Sequence, residues 1–128
     1  VKEKVPYFKV MYLYLTAKVY WKLQRNDDAL AYISNIRRLK VNQKYQYKAV
    51  LLERNLLQQL ETDDTKKLLI EKIIPFYHQN ADFPEEYKCY RLLQDICYSM
   101  KKYKQSADYL KRMVMIRERA SNYGLFNK

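Results

Sequence analysis

Two stretches of this chain, WKLQRNDDALAYISNI at residues 21–36 and YSMKKYKQSADYLKRM at residues 98–113, follow one plan. Overlaid, they stand 77 positions apart, with Leu23 on Met100, Ala29 on Ser106, Ile33 on Leu110 and Ile36 on Met113. Apolar residues recur every three or four positions, the period of a helix with one buried face. A cluster of Asn, Asp, Lys and Gln precedes the small residue in both copies and reads as a turn. Each stretch is therefore the end of one helix, a turn and the start of the next.

Working outward, the spacing Leu13, Ala17, Tyr20 predicts a first helix from about Pro6 to Gln24. Pro6 suits a first turn, where its missing N–H has no helical partner. Asn26-Asp27-Asp28 is expected to cap a second helix that runs to Lys40. A third spans Gln43–Leu60, and Glu61-Thr62-Asp63-Asp64-Thr65 is a second capping turn. The fourth reaches Ile74 or Tyr77, with Pro75 kinking or ending it. After a loop at Gln79–Asp82, a fifth helix starts at Phe83-Pro84-Glu85-Glu86 and ends near Met100. The sixth runs from Tyr103 to Ser121. The period of three and four, rather than two, disfavours strands.

Helices joined by short turns pack as antiparallel pairs. Half of the 77-residue offset puts a middle copy near residue 68, where Lys66–Ile73 is apolar at helical spacing but lacks the small residue. The expectation is one all-α domain over residues 1–128, with three hairpins at about 6–41, 43–78 and 83–121. Ala29, Leu69 and Ser106 take equivalent positions between helices. Hairpins of this length stack, each covering its neighbour's apolar face.

These residues resemble the tetratricopeptide repeat. Its pattern is carried by Leu13, Thr16, Ala17, Tyr20, Leu23, Ala29, Ile33 and Ile36 in the first copy. In the third it is carried by Tyr90, Leu93, Gln94, Cys97, Met100, Tyr103, Ser106, Leu110 and Met113, and more loosely in the second by Leu56, Leu57, Leu60, Leu69, Ile73 and Phe76. The family's turn Gly is replaced by Gln24 and Lys101, its closing Pro is absent, and the spacing exceeds the usual ~34 residues. The resemblance implies a right-handed superhelix, an α-solenoid whose first helices line a concave, peptide-binding face. That face would carry Tyr14, Lys18, Trp21 and Lys22 in the first copy, Arg54, Gln58 and Glu61 in the second, and Arg91, Asp95 and Tyr98 in the third. The tail, Asp108-Tyr109-Leu110-Lys111 through Ile116–Asn122 and Leu125–Lys128, resembles the end of the array in Bacteroidetes-type membrane-anchored regulators. There the array is a sensor, which implies a periplasmic location; a cytoplasmic transcriptional regulator is the alternative. Val1 is not Met, so the chain reads as a piece of a longer protein.

Composition narrows the function. The net charge of +11 sits at the ends: residues 1–26 hold +5, residues 101–128 hold +6, and the middle balances. Solvation of helices by Lys is the plainer reading, and nucleic-acid binding the lesser one. One Gly excludes a Gly-rich phosphate loop, and no apolar run approaches the ~20 residues needed to span a bilayer. Cys89 and Cys97, eight apart on one helix, are about 12 Å apart along its axis and cannot bridge. They read as small buried hydrophobes. His78 has no Cys partner at metal-ligand spacing, so no metal or cofactor is expected. Asp27-Asp28 and Asp63-Asp64 read as caps rather than catalytic carboxylates. No nucleophile beside a base is visible, and no enzymatic activity is expected. Trp21 is balanced between packing and binding. The expected function is a scaffold that holds a peptide, a protein segment or another protomer, with rings for stacking and cations for carboxylates.

Overall fold

A computed structural model describes residues 4–122. Every regular element among them is helical, with no strand. The chain divides into two compact units, residues 1–60 and 61–128. The division falls inside the expected middle hairpin.

The first unit contains α1 (Lys4–Lys22), α2 (Asn26–Leu39) and α3 (Gln43–Leu56). Its core takes Val10, Leu13 and Ala17 from α1, Ile33 and Ile36 from α2, and Ala49 and Leu52 from α3. Ala29 is also fully buried. A short turn sends α2 back along α1, and the rings of Tyr20 and Tyr32 stack across the pair at 5.5 Å. The Gln46 amide donates to the carbonyls of Ile36 at 2.8 Å and Val41 at 3.0 Å. It thereby satisfies an orphan carbonyl near the end of α2 and ties α3 to it.

Two sequence expectations are corrected here. Asn26 is already helical, and the N-cap is Arg25, which makes no side-chain cap bond. Asp28 turns instead to Arg25, with a carboxylate–guanidinium distance of 2.7 Å. The third helix ends at Leu56 rather than Leu60, because Gln58 enters the left-handed region at φ 57°.

The second unit contains α4, α5 (Phe83–Ser99) and α6 (Tyr103–Asn122). Helix α4 has three segments: α-helical Asp63–Leu68, a π turn at Leu69–Ile73, and α-helical Ile74–Gln79. Thr62 caps it by accepting from the Thr65 N–H at 3.2 Å. Asp82 caps α5 by accepting from the Glu85 N–H at 3.4 Å. The Ile74 N–H reaches the Leu69 carbonyl, and Pro75 follows directly. Pro75 has no N–H, and its ring crowds the carbonyl four residues earlier. Widening the preceding turn accommodates it without ending the helix.

The core of this unit joins Leu69, Ile73, Ile74 and Tyr77 to Cys89, Leu93, Ile96 and Cys97, with Met113, Ile116 and Ala120 from α6. Gln94 lies against Ser106 and Tyr90 against Tyr109, so α5 and α6 run antiparallel. Ala29, Leu69 and Ser106 are all buried.

Four helices end alike. Gln24, Gln58, Ala81 and Lys101 each have φ between 53° and 62°. The following residue then donates back to the carbonyl five earlier, as Arg25 does to Tyr20 at 2.9 Å and Lys102 to Cys97 at 2.8 Å. This is the Schellman closure, which usually places Gly at the left-handed residue. Gln24 and Lys101 take the backbone conformation of the missing Gly, and they stand 77 apart, like the stretches around them.

Candidate functional site

The second unit holds a cleft of about 480 Å³. Helix α4 supplies Ile70, Ile74, Pro75 and His78, α5 supplies Glu86 and Tyr90, and α6 supplies Arg112, Met115, Ile116 and Arg119. Each set repeats at three and four residues, the spacing that puts side chains on one helix face. The core stripe of α6, Met113, Ile116 and Ala120, turns Arg112, Met115 and Arg119 outward along its edge. The cleft is thus the seam where three apolar stripes diverge.

Its polar groups differ in state. The Glu86 carboxylate is buried, 5% exposed, and both its oxygens lie 3.2–3.3 Å from Nδ1 of His78. Glu86 stands in the first turn of α5, where free N–H groups favour a carboxylate. The Arg112 guanidinium lies 5.8 Å from the ring centre of Tyr90, which stacks on Tyr109 at 5.9 Å. Burial, more than the neighbouring Cys97, pushes the Tyr109 hydroxyl above its ordinary range. Among the described residues neither Arg112 nor Arg119 forms a salt bridge. The wall is therefore apolar, with cations at its edge and its carboxylate already engaged.

No lining residue is a Ser, Thr or Cys. Both cysteines are buried, and neither is in a disulfide. The Cys97 thiol is pushed up by burial, with Lys66 pulling it partly back, so it is a weak nucleophile. Among the described residues no three His, Cys, Asp or Glu converge as a metal site would require, and no helix is long and apolar enough to cross a membrane.

The residues expected on a concave face lie as follows. Tyr14, Lys18 and Trp21 are half-buried on α1, and Tyr14 and Trp21 pack against the first unit's core. The Tyr14 ring lies 5.6 Å from that of Tyr45, with the Lys18 and Lys48 ammonium groups 5.8 and 5.6 Å from its centre. Lys22 is exposed, Arg54 is half-buried on α3, and Gln58 lies beyond the end of α3. Arg91, Asp95 and Tyr98 share the exposed face of α5, turned away from the buried stripe of that helix, and none lines the cleft. Tyr98 packs edge-on against Tyr103 at 5.5 Å. Glu61 accepts from the Ser99 hydroxyl at 2.9 Å.

The cleft residues were not singled out by sequence. One signal was present: His78 and Glu86 flank a short loop, where antiparallel helices bring such side chains together. No protein-family model, curated protein or solved structure matches this chain.

Proposed function

We propose that this chain is a non-catalytic scaffold of tetratricopeptide-like hairpins, and that its second unit holds an apolar peptide segment bearing a carboxylate. The observation that carries this reading is the cleft: apolar walls from three helices, edged by two arginines that have no carboxylate partner among the described residues. Ile74 and Ile116 offer area to an apolar side chain. Arg112 and Arg119 offer forked donors that match a carboxylate. The family resemblance supports stacking of the hairpins into a right-handed superhelix. It also supports a place as the sensory or interaction region of a larger bacterial signalling regulator, with a cytoplasmic transcriptional regulator as the alternative setting.

The test is titration of labelled short peptides, each an apolar residue next to an acid, against wild type and an Arg112→Glu/Arg119→Glu variant. Binding that weakens roughly tenfold or more in the variant, a loss of about 1.4 kcal/mol or more, supports the proposal. Equal binding by peptides with Lys in place of the acid contradicts it. So does tight, steeply salt-dependent binding of single-stranded RNA that the variant leaves unchanged.

A further inference from the structure

Helix α1 has two apolar faces. One is the core face of Val10, Leu13 and Ala17. The other carries Phe8, Tyr12, Leu15 and Val19, which are 60%, 61%, 51% and 54% exposed. Their spacing is four, three, four. At about 100° per residue they fall within roughly 60° of the helix circumference. That is the narrow a/d seam of a helix pair, not the broad apolar face of a helix lying on a membrane. Four large apolar side chains in one line on a single helix are more than the scattered exposure normal for a protein surface.

The charge beside the seam has one sign. Helix α1 contains Lys4, Lys9, Lys18 and Lys22 and no Asp or Glu. Lys9 and Lys18 take the positions flanking the seam, and Lys22 follows at its C-terminal end. Residues flanking a seam choose its partner by charge. A second copy of this chain is a poor occupant, because its own exposed apolar helix, α6 with Leu110 and Val114, is also rich in Lys and Arg.

We propose that the outer face of α1 is a docking surface for an acidic amphipathic helix of a partner protein, whose apolar stripe meets Phe8, Tyr12, Leu15 and Val19 and whose carboxylates meet Lys9 and Lys18. This surface lies in the first unit and stands independently of the cleft in the second.

The test uses the full chain and two designed helical peptides with Leu at the seam positions, one flanked by Glu and one by Lys, followed by fluorescence anisotropy. The Glu peptide should bind roughly tenfold or more tightly than the Lys peptide. Because the cleft also favours an apolar peptide with acids, both peptides are compared in the Arg112→Glu/Arg119→Glu background, where binding of the Glu peptide should persist. Adding Leu15→Glu/Val19→Glu, whose exposed sites leave the melting temperature unchanged, should abolish it. In that background, equal binding of the two peptides overturns the proposal, as does binding that survives Leu15→Glu/Val19→Glu. Two other results also overturn it: a dimer that the α1 variant dissociates, which would make a second copy the occupant, and sedimentation with phosphatidylserine-rich vesicles that the variant abolishes, which would make it a membrane face.

Discussion

Ser106 and Gln94 close a ring between α5 and α6. The Ser106 hydroxyl donates to the Gln94 backbone carbonyl at 3.1 Å and accepts from the Gln94 side-chain amide at 3.1 Å. The ring sits at the small-residue position of the repeat, where the first hairpin uses fully buried Ala29. It fixes the register of α6 on α5, and so sets Arg112 and Arg119 across from Glu86 and Tyr90. Replacing Ser106 by Ala leaves a half-buried amide without its acceptor. A loss of about 1–2 kcal/mol is expected, read as a lower urea midpoint at constant slope. An unchanged midpoint would mean that the ring contributes nothing to the hairpin.

Lys101 and Gln24 hold left-handed backbone at φ 62° and 61°. A residue with a Cβ carries about 1–2 kcal/mol of strain there, while Gly adds up to about 1 kcal/mol of unfolded-state entropy. Lys101→Gly should therefore stabilise by about 0.5–1 kcal/mol, and Lys101→Val should destabilise. Thermal unfolding of the two variants gives the comparison. A destabilised Gly variant would place the turn outside the left-handed region.

Ala29 is 0% exposed between the helices of the first hairpin. Ala29→Trp should cost about 1–3 kcal/mol through overpacking. Ala31→Trp, at an exposed position on the same helix, is the control and should change the midpoint little.

The Cys97 thiol is fully buried and its Sγ lies 3.7 Å from Gln105 Oε1. Burial raises its pKa above the ordinary 9.0. The folded state thus keeps this proton when the unfolded chain has lost it. The associated stability is complete below about pH 9 and disappears as pH rises through the raised folded value. Cys97→Ala should show a shallower loss of stability between neutral and alkaline pH than wild type. Alkylation of Cys97 at pH 8 should also be far slower in the folded chain than in urea. Rapid labelling of the folded chain would show an accessible thiolate.

The helices were legible in the sequence because each carries one apolar stripe at helical spacing and ends in a polar turn. The buried trio of Ala29, Leu69 and Ser106 followed from the 77-residue repeat alone. Other features were hidden for identifiable reasons. Asn26 and Asp27 have the chemistry of caps, but Arg25 in the preceding position drew Asp28 to itself. The early end of α3 depends on the backbone angle of Gln58, which no side-chain preference announces. Tyr14 and Trp21 were expected on a ligand face, yet in the first unit they pack against the core. The cleft was invisible because it is made where stripes diverge, and its edge residues, Arg112 and Arg119, look in sequence like ordinary solvated charges. The wider turn before Pro75, which the sequence read as a kink or an end, lets α4 continue to His78 and complete the wall.

Whether the second unit binds an acidic apolar peptide in the cleft between α4, α5 and α6 is measured most directly by titrating the isotopically labelled chain with such a peptide, followed residue by residue by NMR. Shifts concentrated at Ile70, Ile74, Tyr90, Met115 and Arg119, and lost in Arg112→Glu/Arg119→Glu, are the predicted result. Shifts confined to Arg91, Asp95 and Tyr98 on the outer face of α5, or none at saturating peptide, would contradict it.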